Sequence, residues 1–187
     1  ENVANKFQVT RQEQDKFALN SQEKALKAIK ENKFKEEITN IKIKSKKAEI
    51  DFNKDEHPRD GINIEGLTRL KPVFQKDGTV TAGNASGIND GAAAVALMLE
   101  EEAKKRNLKK LVTIKSWASC GVEPALMGTG PIPATKKALD LAGWKIDDVD
   151  LFEVNEAFSA QSIAVLKTLE IPDEKVNVNG GAIAIGH

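Results

Sequence analysis

From residue 111 to the end of the chain, short apolar runs alternate with helical stretches. Residues 111–118 read as a strand. Residues 131–141 read as a helix, with Pro133 near its first turn, where a missing N–H costs nothing. Residues 149–154 read as a strand, 157–169 as a helix and 176–179 as a strand. Strand–helix–strand alternation predicts an α/β layered sheet, with functional residues gathered just beyond the strand ends. Two polar positions sit there. Asn155 opens Asn155-Glu156-Ala157-Phe158, and His187 closes a glycine-rich turn.

The segment before this region is dense in small residues. Thr79-Val80-Thr81-Ala82-Gly83-Asn84-Ala85-Ser86-Gly87 precedes Asn89-Asp90-Gly91. Side chains this small allow a ligand to approach the backbone, and Ser86 adds one hydroxyl that can reach it. They equally suit a tight turn with close helix packing. Residues 92–99 are apolar on all sides and Ala-rich, which predicts the start of a buried helix that becomes charged through residues 100–107.

The first eighty residues are Lys-rich and irregular. Thr10-Arg11-Gln12-Glu13 reads as a capping box, the Thr hydroxyl accepting a backbone N–H while the Glu reaches back. The helix it opens gathers Ala18, Leu19, Ala25, Leu26 and Ile29 on one face. Residues 38–43 and 48–52 alternate apolar and polar side chains around a Lys-rich connection, which predicts a hairpin. This zone reads as an accessory α+β layer.

Composition narrows the function classes. Acidic and basic residues are equal at 28 each, so no bulk field steers the chain to nucleic acid or membrane. The apolar run at 92–99 falls far short of the ~20 residues of a spanning helix. A single cysteine forms no internal disulfide, and with two histidines it makes no metal site. Glu1 opens directly on helix-like sequence, so the chain reads as an internal piece of a longer protein.

Five segments resemble thiolases, in thiolase order and spacing. They are residues 78–87, 89–94, Met127-Gly128-Thr129-Gly130-Pro131, Asn155-Glu156-Ala157-Phe158 and residues 179–187. The set is most similar to the short-chain members, the acetyl-CoA C-acetyltransferases. The resemblance covers essentially the whole chain and implies a layered αβαβα fold, present in part. By that analogy residues 1–88 form the later part of an inserted α+β loop domain on the CoA-binding side. Residues 89–110 end the N-terminal half, and 111–187 begin the C-terminal half. The family's acyl-accepting cysteine then lies before Glu1 and its second catalytic cysteine after His187, so the piece alone is expected to be inert.

The resemblance also implies chemistry. Condensing two acetyl-CoA molecules to acetoacetyl-CoA, or the reverse thiolysis, needs a thiolate to carry one acyl group. It also needs a base for the second molecule's proton and donors for the enolate oxygen. His187 resembles the histidine that activates the cysteine and lends a donor to the thioester oxygen. Asn155 resembles the asparagine whose side chain holds a water that serves as the second donor. Read on residue type alone, Asn155 also suits a helix N-cap.

Binding residues follow by the same likeness. Ala82 and Ser86 match positions on the pantetheine arm of CoA. Arg59 matches a basic residue near the adenine and phosphates, where a guanidinium meets phosphate oxygens. Met127, Ala157 and Phe158 match the acyl end of the pocket. Gly66 departs from the pattern, standing where some relatives carry a nucleotide-contacting Ser. Coenzyme A thioesters are expected as substrates, with no permanently bound cofactor. A cytoplasmic homo-oligomer, dimer or tetramer, is expected for the whole protein.

Cys120, the only thiol, reads as a buried small hydrophobe rather than a nucleophile. His57, beside Pro58, reads as a solvated loop residue. Two alternatives to the short-chain enzyme stand: a degradative 3-ketoacyl-CoA thiolase of broader chain length, and a non-catalytic CoA-binding module. A ketoacyl synthase is a weaker rival, since it pairs its histidines in different motifs.

Overall fold

The computed structural model describes residues 1–44 and 48–187. Helix α1 (Asn2–Lys6) leads into α2 (Arg11–Lys30), the longest element. The predicted capping box starts α2: Thr10 Oγ1 accepts the Glu13 N–H at 3.2 Å, and Glu13 Oε2 accepts the Thr10 N–H at 2.7 Å. Two backbone donors left over at the helix start are thereby satisfied.

The predicted hairpin follows as β1 (Ile41–Lys44) and β2 (Glu49–Phe52), antiparallel, with Ile43 opposite Ile50 and Lys42 opposite Asp51. Its connection falls on residues outside those described. Both strands are exposed along their length, so the hairpin stands off the core.

Helix α3 (Ile64–Thr68) is capped by the Asn63 side chain and buries Leu67. Helix α4 (Glu100–Lys105) carries no buried residue. Helix α5 (Pro131–Ala142) starts on Pro131 and stops where Gly143 turns left-handed at φ 70°. Helix α6 (Ser159–Leu169) begins two residues later than predicted, because Phe158 is still extended, and α7 (Ala182–Ile185) is a single turn.

The core lies where α6 packs against α2 and α5, and α7 packs on α2 as well. Ala18 and Ala25 on α2, Ala164 on α6 and Ala184 on α7 are fully buried. Side chains this small let the helix backbones approach closely. Val165, Leu166, Leu169, Ile171 and Val176 form the apolar cluster beneath, flanked by Phe17, Ile132 and Phe152. Helix α6 is buried on nearly every face, and apart from Gln161 and the exposed Lys167 its side chains are apolar or small and polar.

Three predicted strands and one predicted helix are corrected. Residues 149–154 and 176–179 form no ladder; they meet in parallel at a single bridge, Phe152 with Val176. Residues 111–118 are not in a strand, and Leu111, Val112, Ile114 and Trp117 are all exposed. Residues 92–99 are neither helical nor buried; the helix starts only at Glu100. The last two share a reason. A strand needs a neighbour to take its N–H and C=O groups, and an apolar helix needs a face to pack on. Among the described residues no element supplies either to segments 92–99 and 111–118. Cys120 follows this stretch and is half-buried rather than buried. No helix among the described residues is long and apolar enough to cross a membrane.

Candidate active site

The loop that enters α6 and the turn that ends the chain converge. Asn155 Nδ2 stands 2.9 Å from His187 Nε2, although the two are thirty-two positions apart. With the amide nitrogen as donor, Nε2 is the acceptor, the arrangement of a neutral imidazole carrying its proton on Nδ1. An imidazole in that state can take a proton at Nε2. Once protonated it becomes a donor on both nitrogens.

Both residues line a cavity of about 800 Å³ together with Met127, Ala157 and Phe158. The remaining wall is largely apolar, including Val80, Phe152, Val154, Ala160 and Val165. Phe158 is held by an edge-to-face contact with Phe74, their ring centroids 6.1 Å apart. Glu153 lies at the same wall, and its carboxyl is pushed above the usual range by burial and by the nearby Glu156 charge, partly offset by Lys24.

Ser86 lies behind this wall rather than on it. Its N–H and its hydroxyl both donate to the Ala157 carbonyl, at 3.1 and 3.0 Å. Ala85 bridges Phe158, and the Asn84 carbonyl accepts the Ser159 N–H at 2.9 Å. The small-residue segment is therefore stitched edge-on to the Asn155–Phe158 loop. The hydroxyl of Ser86 keeps its lone pairs for a further partner. Ala82 is exposed on the same segment, while Arg59 is exposed and anchored through its backbone N–H to Gln22 Oε1 at 3.1 Å. Arg59, Ala82 and Ser86 thus do not line the cavity that unites the other five expected residues. Gly66 sits inside α3, where its N–H donates to the Asn63 cap at 2.9 Å.

His57 departs from expectation. It is half-buried, its Nδ1 lies 3.0 Å from the Ala184 carbonyl, and a β-carbon on Gly87 would come within 2.4 Å of its Nε2. It packs beneath the turn that delivers His187, whose own N–H points to the Gly87 carbonyl at 3.4 Å. Proximity to Pro58 carried no signal of this, since the partners lie far along the chain.

The family model for the thiolase N-terminal domain matches residues 1–101, and that for the thiolase C-terminal domain matches residues 108–187. The chain belongs to the thiolase family. An acetyl-CoA acetyltransferase of Rhizobium meliloti is 54% identical over 187 residues, which are all of this chain and 48% of the relative. A mouse relative named as cytosolic acetyl-CoA acetyltransferase is 54% identical over 189 aligned positions, again covering the whole chain and 48% of the relative. Among solved structures, the acetyl-CoA acetyltransferase of Bacillus anthracis superposes with a TM-score of 0.94 at 50% identity. That match covers 100% of this chain and 47% of that one. The fold is therefore the thiolase fold, and this thiolase chain spans about half the length of the curated relatives it matches.

Proposed function

We propose that the whole protein to which this thiolase chain belongs is an acetyl-CoA C-acetyltransferase. It condenses two acetyl-CoA molecules to acetoacetyl-CoA, or runs the reverse thiolysis, through an acetyl-cysteine intermediate. The observation that carries the reading is the 2.9 Å contact of Asn155 with His187 at the wall of an apolar cavity.

The steps assign each group a task. His187 Nε2 takes the proton of a cysteine thiol, and the thiolate attacks acetyl-CoA and expels coenzyme A, which leaves with that proton. A second cysteine, as its thiolate, takes an α-proton from the next acetyl-CoA and becomes a thiol. The resulting carbanion attacks the acetyl-cysteine, forming the new C–C bond and releasing the first thiolate. Both cysteines would come from parts of the whole protein outside these 187 residues. His187, taking up a solvent proton at Nε2 once coenzyme A has left, and the Asn155 amide, through a water, would supply donors to the enolate oxygen. An uncharged amide suits that position, because it orients a water without adding charge.

Met127, Ala157 and Phe158 would face the acyl group, and Ala82, Ser86 and Arg59 the coenzyme A arm. Coenzyme A thioesters are substrates in this reading, with no cofactor held between turnovers. A cytoplasmic homo-oligomer, dimer or tetramer, completes it, and the cytosolic mouse relative supports the compartment.

The test is thiolysis by the purified whole protein of acetoacetyl-CoA and of a longer 3-ketoacyl-CoA. Preferential cleavage of acetoacetyl-CoA is expected. A clear preference for the longer substrate would move the assignment to a degradative thiolase, and cleavage of neither would reduce it to a coenzyme A-binding module.

A further inference from the structure

Glu156 follows Asn155 directly, yet its side chain turns away from the cavity and is 2% exposed. Three donors from three separate segments converge on its carboxylate. Ser21 on α2 donates its hydroxyl to Oε2 at 2.6 Å, the Ile183 N–H on α7 reaches the same oxygen at 3.1 Å, and Asn177 Nδ2 reaches Oε1 at 2.8 Å. Ser21 in turn accepts the Gly181 N–H at 3.1 Å. Asn177 clamps the other side of the loop, accepting the Val154 N–H at 2.7 Å and donating to the Val154 carbonyl at 2.8 Å.

We infer that Glu156 is a positioning residue that sets the spacing of Asn155 and His187. Its carboxylate ties the backbone on one side of Asn155 to the Gly181–Ile183 turn, four residues before His187. The chemistry demands a carboxylate. It is an acceptor only, and every group facing it is a donor. In a glutamine at this position, an NH₂ in place of Oε2 would face the Ile183 N–H, and in place of Oε1 it would face the Asn177 amide. One buried donor is orphaned in either orientation. The fit is also steric, since a β-carbon on Gly181 would lie 2.3 Å from the Glu156 carboxyl carbon.

The activity arm of the test rests on the proposed thiolase reaction, so a second readout is independent of it. The whole protein is compared as wild type, Glu156→Gln and Ser21→Ala. Turnover is followed with acetoacetyl-CoA. The rate at which diethylpyrocarbonate modifies His187 is followed by mass spectrometry. Glu156→Gln is expected to lower kcat by about 30-fold with KM within about twofold, the pattern of a mispositioned group that acts in the transition state. It is also expected to speed modification of His187 by about threefold or more, as Nε2 loses its partner. Ser21→Ala, which keeps the carboxylate, should move both quantities the same way and less.

A folded Glu156→Gln protein with wild-type kcat and wild-type His187 modification would overturn the inference, even if its melting temperature falls. Should that variant fail to fold, unchanged values for Ser21→Ala overturn it instead. A wild type with no thiolysis defeats the proposed reaction alone, and the modification rate of His187 then decides the positioning role.

Discussion

Gly180 and Ala25 meet backbone to backbone: a β-carbon on Gly180 would stand 2.6 Å from the β-carbon of Ala25 and 2.8 Å from its nitrogen. Gly180 also holds φ at +83°, a conformation that side chains resist. The turn that ends in His187 thus lies directly on α2. Gly180→Ala is expected to cost about 3 kcal/mol through overpacking and backbone strain together. Denaturant unfolding of the whole protein measures this, and kcat should fall with it, because the turn must lift off α2.

Asp15 is fully buried on α2 and joins two parts of the chain. It accepts from Arg11 Nε at 2.8 Å and from Asn84 Nδ2 at 2.9 Å. Arg11 further holds the Leu67 and Leu70 carbonyls, and Asn84 leads into the segment stitched to Phe158. Removing one partner of a buried pair leaves the other charged and poorly solvated. Asp15→Ala should therefore destabilise by about 3 kcal/mol, the lower end of the usual range, since Arg11 keeps its carbonyl acceptors. Unfolding free energies of Asp15→Ala, Asn84→Ala and the double variant should be clearly non-additive.

Glu13 couples α2 to α6 at the surface. The hydrogen bond from Lys167, followed by those from the Thr10 backbone and hydroxyl, lowers its carboxyl from 4.5 to about 2. A lowered pKa stabilises the folded state above pH 4.5, and that stabilisation is lost as the pH falls toward about 2. The group is well exposed, so screening limits the effect. Glu13→Gln should be less stable than wild type at neutral pH by under about 1 kcal/mol. The two proteins should converge in denaturant midpoint near pH 2.

Residues 92–99 and 111–118 present Val95, Leu97, Leu99, Leu111, Val112 and Trp117 to solvent. Patches of this kind promote association. The 187-residue chain produced alone should bind a hydrophobic dye, aggregate on standing and melt without a sharp transition. A monodisperse sample with a single cooperative transition would count against that expectation.

What was legible in the sequence follows the range of the forces involved. The capping box of α2, the Pro131 start of α5 and the alternating hairpin are decided within a few residues of each other; the first two appear where expected, and the hairpin forms with its first strand starting at Ile41 rather than at residue 38. The Asn155–His187 pair was legible through its motifs. Glu156 stood inside the same motif with no assigned task, because its meaning comes from Ser21, 135 positions earlier. His57 was misjudged for the same reason, its partner Ala184 lying 127 positions away. Residues 111–118 have a strand's composition, but composition cannot provide the neighbouring strand that would complete it.

Asn155 and His187 would act as one catalytic pair, which is tested most directly by kcat for acetoacetyl-CoA thiolysis by Asn155→Ala in the whole protein. A loss of roughly 10²–10³ is expected, with the fold and KM little changed, as when one donor to a developing oxyanion is removed. A folded variant whose kcat stays within about twofold of wild type would contradict it.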